Sequence, residues 1–191
     1  AGAVGFGDLP ARNAPQDGIL ALVGMVIPAS WFVRMLLVGS AAAGAWGAAT
    51  LATPAGRNSV AFRQVAAITV TVWNPFVVER LLQGQWSVAM VAWLLPAVVA
   101  CRTRPAWQVA TVWVCSLTPT GGFVALIVAL VSACRRRFVA VFGTLCLLPW
   151  LVPSVIAPPA SAGTSAFLGR PEELVGTLGA FLGLGGMWNA A

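Results

Sequence analysis

Residues 101–137 read CRTRPAWQVATVWVCSLTPTGGFVALIVALVSACRRR. The apolar stretch 106–133 has arginines on both flanks and Thr118-Pro119-Thr120-Gly121-Gly122 in its middle, so it is either one long membrane span or a hairpin of two short helices turned at the Pro-Gly segment. Charge separates the two. A single span would place Arg102 and Arg104 on the side opposite Arg135, Arg136 and Arg137, whereas a hairpin puts both clusters on one side. The excess of basic residues in cytoplasmic loops selects the hairpin, with both clusters cytoplasmic.

Working outward, residues 1–17 form a polar loop with Asp8, Arg12 and Asp17, and the apolar run Ile19 to Ile27 ends at Pro28. Nine residues at about 1.5 Å each make a helix of roughly 14 Å, short of a hydrocarbon core of about 30 Å. An interfacial or re-entrant helix with Asp17 as its N-cap is expected there. A first span is predicted over Trp31 to Ala52, with Gly39, Gly44 and Gly47 marking it as an interior helix, because small residues let backbones approach closely. Pro54 and Gly56 end it. A second apolar segment, Ser59 to Trp73, breaks at Asn74-Pro75, since the residue before proline is pushed out of helical geometry. A polar link follows, then a third span, Trp86 to Ala100. After the hairpin come a span from Phe138 to Ile156, a Pro/Ser/Gly-rich loop over 157–173, and a partial apolar helix from Leu174 to Met187.

The expected fold is therefore an all-α polytopic transmembrane bundle of about six membrane-embedded helices. It forms one domain over 1–191: an outer loop and interfacial helix (1–30), transmembrane helices (31–156), and an outer loop leading into a further helix (157–191). The start at Ala1 and the stop at Ala191 predict a segment of a longer protein. Alternating the sides places Arg57, Arg63, Arg102, Arg104, Arg135, Arg136 and Arg137 inside, seven of the eleven arginines, and Asp8, Asp17, Glu79, Glu172 and Glu173 outside. Trp31, Trp73, Trp86 and Trp150 then fall near the outer boundary, as an aromatic belt does.

Composition agrees with a membrane protein and limits its chemistry. Of 191 residues 59% are apolar and 8% charged, the net charge is +6, and the mean hydropathy is +0.88. A soluble domain needs more polar surface than that. With no histidine, lysine or tyrosine, all 11 basic residues are arginines, which excludes HExxH zinc sites, Ser-His-Asp triads, Walker loops and Schiff-base lysines in this segment. Cys101, Cys115, Cys134 and Cys146 lie in or beside apolar runs without a CxxC pair and read as buried small hydrophobes; no metal site is expected. Nucleic-acid binding is not expected despite a pI near 11.0, because the arginines mark membrane boundaries and form no basic groove.

Proton transfer in such a chain requires a carboxylate. Asp8, in Gly5-Phe6-Gly7-Asp8-Leu9-Pro10, is a lone acid in a Gly-flanked loop, either an exposed loop residue or a base; Asp17 is a helix cap or a second choice of base. Arg34 is a snorkelling boundary residue or a phosphate ligand. The link from Trp73 to Trp86 places Asn74, Glu79, Arg80, Gln83 and Gln85 between apolar segments, an unfavourable arrangement unless they satisfy one another or a ligand. Glu79 and Arg80 either pair with each other or, because neighbours on a helix do not face each other, each has another partner. Arg80 suits an anionic phosphate or pyrophosphate, gripped by its planar fork. Glu172 and Glu173 suit the start of the final helix.

The pattern Asn74-Pro75-Phe76-Val77-x-Glu79-Arg80 … Gly84-Gln85-Trp86 resembles a stretch in large multi-spanning actinobacterial membrane proteins related to GT-C-type glycosyltransferases. Gly7-Asp8 before the short apolar run, Leu147-Leu148-Pro149-Trp150-Leu151-Val152-Pro153 and Gly185-Gly186-Met187-Trp188-Asn189 fit the same resemblance. It implies a GT-C-like fold and catalysis on the extracytoplasmic side, with a polyprenyl-phosphate-linked sugar as donor, membrane lipids around it and a glycan or glycolipid as acceptor. It also implies an acid in the first outer loop as the base, matched here by Asp8 with Asp17 second. Arg80 or Arg34 would then hold the donor phosphate beside Glu79, Asn74 and Gln85, and a divalent metal ion is the alternative source of positive charge. The rival expectation is a non-catalytic protein for lipid or glycolipid transport, or for scaffolding an envelope complex.

Overall fold

The computed structural model describes residues 14–53 and 60–156. Helices in order are α1 (Ala14–Gly24), α2 (Ala29–Leu51), α3 (Val60–Val72), α4 (Pro75–Leu82), α5 (Trp86–Ala100), α6 (Pro105–Cys115), α7 (Pro119–Ser132) and α8 (Arg136–Ile156), with a 3-10 turn at Cys101–Thr103. Among the described residues there is no strand. Among the described residues three stretches are long and apolar enough to cross a membrane: Ala29–Leu51 with 23 residues, Ala61–Leu82 with 22, formed by α3 and α4 together, and Trp86–Thr103 with 18. The 11 residues of α6 and the 14 of α7 fall short of the roughly 20 needed. The chain is thus an all-helical protein of membrane-spanning character.

The interior helix is α5, and the expectation for the glycine-rich first span is corrected. Met90, Val91, Trp93, Leu94, Ala97 and Val98 of α5 are buried, whereas α2 buries only Ser40, Gly44, Gly47 and Ala48. The glycines serve a single face. A Cβ at Gly44 would collide with the Trp93 carbonyl, and one at Gly47 with the backbone of Pro96 and Ala97, so α2 lies directly on the α5 main chain. These paired positions rise together, 44 with 93 and 47 with 96–97, which makes α2 and α5 parallel. The antiparallel return is α3. Gln64 Nε2 near its start donates to Thr53 Oγ1 at 3.0 Å beyond the end of α2, and the Val72 carbonyl at its end accepts from Trp93 Nε1 at 3.1 Å.

The stretch 106–133 is a pair of short helices. The Thr118 side chain caps α7 by accepting from the Gly121 N–H at 3.2 Å. Side chains at Gly121 and Gly122 would run into Val91 and Leu147, so the turn needs glycine for space. After α7, the Cys134 N–H donates to the Arg102 carbonyl at 3.2 Å, which joins the Arg102/Arg104 and Arg135–Arg137 clusters at one end of the bundle. At the other end Trp150 Nε1 on α8 donates to the Ser116 carbonyl at 2.7 Å. Within the core, Gln108 of α6 is fully buried and donates through Nε2 to the Val98 carbonyl and Ser132 Oγ, each at 3.1 Å, and to the Ala129 carbonyl at 3.4 Å.

Three further expectations change. The N-terminal helix starts at Ala14, so Asp17 is not a cap but an exposed residue of the first turn, where its charge suits the positive helix end. That helix stops at Gly24, and Met25 to Ile27 form a turn ahead of Pro28. The polar link after Asn74-Pro75 is itself a helix, α4, because Pro75 sits at its first position, where a missing N–H breaks no bond. Cys134 is exposed and Cys146 half-buried, while Cys101 and Cys115 are buried, and all four thiols are unpaired. Asp8, Arg12, Pro54, Gly56, Arg57 and the expectations for 157–191 lie outside the described residues.

Candidate functional site

The site builds from Asn74. Its Oδ1 accepts from the Val77 N–H at 2.9 Å to cap α4, and its Nδ2 donates back to the Val70 and Thr71 carbonyls at 3.2 and 3.1 Å. One side chain thus satisfies both ends of the break that Pro75 imposes. The cap fixes the rotation of α4: Val77 is buried with Ala89 and Trp93 of α5, and Phe76 and Arg80, four residues apart, share a neighbouring face. The Arg80 guanidinium lies over the Phe76 ring, 5.2 Å from its centroid.

From there Arg80 Nη1 donates to Gln83 Oε1 at 3.0 Å and to Gln85 Oε1 at 2.8 Å. Gln85 is within reach because Gly84 takes φ +72°, a left-handed turn that suits glycine, and the Gln85 N–H closes back on the Arg80 carbonyl at 2.8 Å. Gln83 Nε2 donates to Glu79 Oε1 at 3.0 Å, and that oxygen stands 3.6 Å from Arg80 Nη2. The Glu79 side chain is 58% exposed and that of Arg80 only 13%. Among the described residues Arg80 Nε is buried without a hydrogen-bond partner. The guanidinium is therefore held mainly by neutral oxygens and an aromatic face, and its one carboxylate partner is loosely placed in an exposed position, where ion pairs contribute little. The result is a guanidinium held in a defined position at the end of the bundle opposite the arginine clusters.

Glu79, Arg80 and Gln85 are thus brought together through Gln83, whereas Asn74 stands at the start of α4 and bonds to the Val77 N–H and to α3. Glu79 and Arg80 do touch, and each also meets Gln83. Gln83 and Phe76 complete the cluster; the spacings 76/80 and 79/83 signal them once the segment is recognised as a helix. Neither Asp17 nor Arg34 joins it by hydrogen bond or ion pair. Arg34 lies over the exposed Trp31 ring, 5.4 Å from its centroid. Among the described residues no group of three His, Cys, Asp or Glu stands together.

A second feature has no counterpart in the sequence reading. A cavity of about 700 Å³ opens between α2 and α6 over the α5 floor, lined mostly by apolar side chains, with Ser40 and Thr111 among them and Arg104 at one end. Comparison of the chain with protein-family models, curated proteins and solved structures returns no match.

Proposed function

We propose that the chain is the membrane domain of a glycosyltransferase-like integral membrane protein, transferring a sugar from a polyprenyl-phosphate donor to a cell-envelope glycan or glycolipid on the extracytoplasmic face. The observation that carries this reading is the Arg80 cluster: a guanidinium held in place by Phe76, Gln83 and Gln85, with the exposed Glu79 carboxylate 3.6 Å away. In the transfer, the acceptor hydroxyl attacks the anomeric carbon, the bond from that carbon to the phosphate oxygen breaks, and the hydroxyl proton passes to a base. Negative charge grows on the departing lipid phosphate, and a pre-positioned planar donor fork stabilises it as it forms. Asp8 is the acid assigned as base, with Asp17 second.

The cavity beside α5 favours a second reading, lipid handling without bond chemistry. Sugar transfer from a panel of radiolabelled polyprenyl-phosphate sugars, by membranes containing the protein, separates the two. Asp8→Asn is expected to abolish transfer at unchanged expression, and Arg80→Ala to lower it about 10²-fold, as for loss of one charge-stabilising donor. Wild-type membranes that transfer from no donor would overturn the catalytic reading in favour of lipid handling, and a fully active Asp8→Asn would remove Asp8 as the base.

A further inference from the structure

The cavity between α2 and α6 has the form of a lipid groove. It runs along α2 from Phe32 to Trp46 and along α6 from Trp107 to Val114, with Leu94 and Ala97 of α5 as its floor. Fourteen residues of helix at a rise of about 1.5 Å span roughly 21 Å, more than the ~15 Å of one leaflet of a ~30 Å core. Its volume of about 700 Å³ is that of a ligand site. The hydroxyl of Thr111 in the wall is turned back onto the Trp107 carbonyl at 2.9 Å.

Charge identifies what enters it. Arg104 closes the groove at the end where Arg102, Arg135, Arg136 and Arg137 also lie. No Asp or Glu occurs between Arg80 and Arg170, and the one ion pair among the described residues is Glu79–Arg80, so among those residues Arg104 has no carboxylate partner. The triplet moreover sits at the start of α8, where cations oppose the helix dipole, a position tolerable beside anions. Trp46 and Trp107, exposed on the two walls near Arg104, suit the headgroup level.

We infer that this groove holds one anionic phospholipid drawn from the leaflet at the arginine end, with its phosphate on Arg104 and one acyl chain between α2 and α6. The lipid lies at the opposite end of the bundle from Arg80, and its binding is independent of sugar transfer.

The test uses the protein in phosphatidylcholine bilayers with trace phosphatidylglycerol carrying a photoactivatable acyl chain, and labelled peptides are mapped by mass spectrometry. Label is expected in the peptides of residues 32–46 and 104–114, and Arg104→Gln is expected to lower it about fivefold, the effect of one arginine on an anionic headgroup. Gly39→Leu fills the groove from a position where a Cβ meets nothing within 4 Å, and is expected to abolish the label while the protein stays folded. Arg137→Gln, outside the groove, is expected to leave it within about twofold. Equal labelling by a phosphatidylcholine probe, insensitivity to both groove substitutions, or displacement of the label by polyprenyl phosphate in preference to unlabelled phosphatidylglycerol would each overturn the assignment.

Discussion

At the scale of single residues, Asn74 and the glycines of α2 carry the most structure per atom. Asn74→Ala removes the α4 cap and two bonds to α3, and is expected to destabilise the protein by about 1 kcal/mol, read as a lowered thermal midpoint in detergent. Asn74→Asp keeps the acceptor but not the donors and should fall between. Gly47→Leu drives a side chain into the α5 backbone and is expected to cost about 3 kcal/mol, whereas Gly39→Ala, facing open space, should be neutral or stabilising by up to about 1 kcal/mol. If the two glycines prove equally tolerant in the same midpoint measurement, the α2–α5 contact is misplaced. That glycine in this span matters was legible in the sequence; which glycine touches a neighbour was not, because spacing along one helix does not name the helix opposite.

Among elements, α6 is held by a polar tie rather than by length. With 11 residues it is too short to span, and the Gln108 amide NH2 joins it to α5 and α7, within reach of the Val98 and Ala129 carbonyls and Ser132 Oγ, while its Oε1 has no partner among the described residues. Gln108→Ala leaves a cavity and removes the tie, at an expected cost of about 3 kcal/mol. Gln108→Leu fills most of the volume and also removes the unsatisfied oxygen, so its expected cost is about 1 kcal/mol. An alanine variant as stable as the leucine variant would mean that Gln108 bears no packing load. The sequence placed the breaks at Asn74-Pro75 and Thr118-Pro119 correctly, because proline acts on its own neighbours. It misjudged the segment after Asn74 as a link: the polar residues that suggest a loop are arranged at helical spacing, and their mutual hydrogen bonds are what make them tolerable beside apolar helices.

For the molecule as a whole, both arginine clusters share one end and the Arg80 cluster lies at the other. In a background lacking the native cysteines, Arg102→Cys and Arg135→Cys are expected to react with an impermeant thiol reagent from the same face of oriented vesicles, and Gln83→Cys from the opposite face. Labelling of positions 102 and 135 from opposite faces would instead require a single span over 106–133. The positive-inside rule adds that the face shared by 102 and 135 is the cytoplasmic one, so the same experiment in right-side-out vesicles tests the orientation.

Composition and local pattern by themselves determined that the chain is helical and membrane-like, where its helices break, and that α6 and α7 turn back on each other. These are properties of hydropathy, proline geometry and charge summed over short windows. Only the tertiary structure decided that α5 occupies the centre and that Arg104 closes an apolar groove. Each of these depends on which helix faces which. That pairing is set by backbone approach at Gly44 and Gly47 and by hydrogen bonds such as Gln108 to Val98 and Cys134 to Arg102, between residues that no local window contains together.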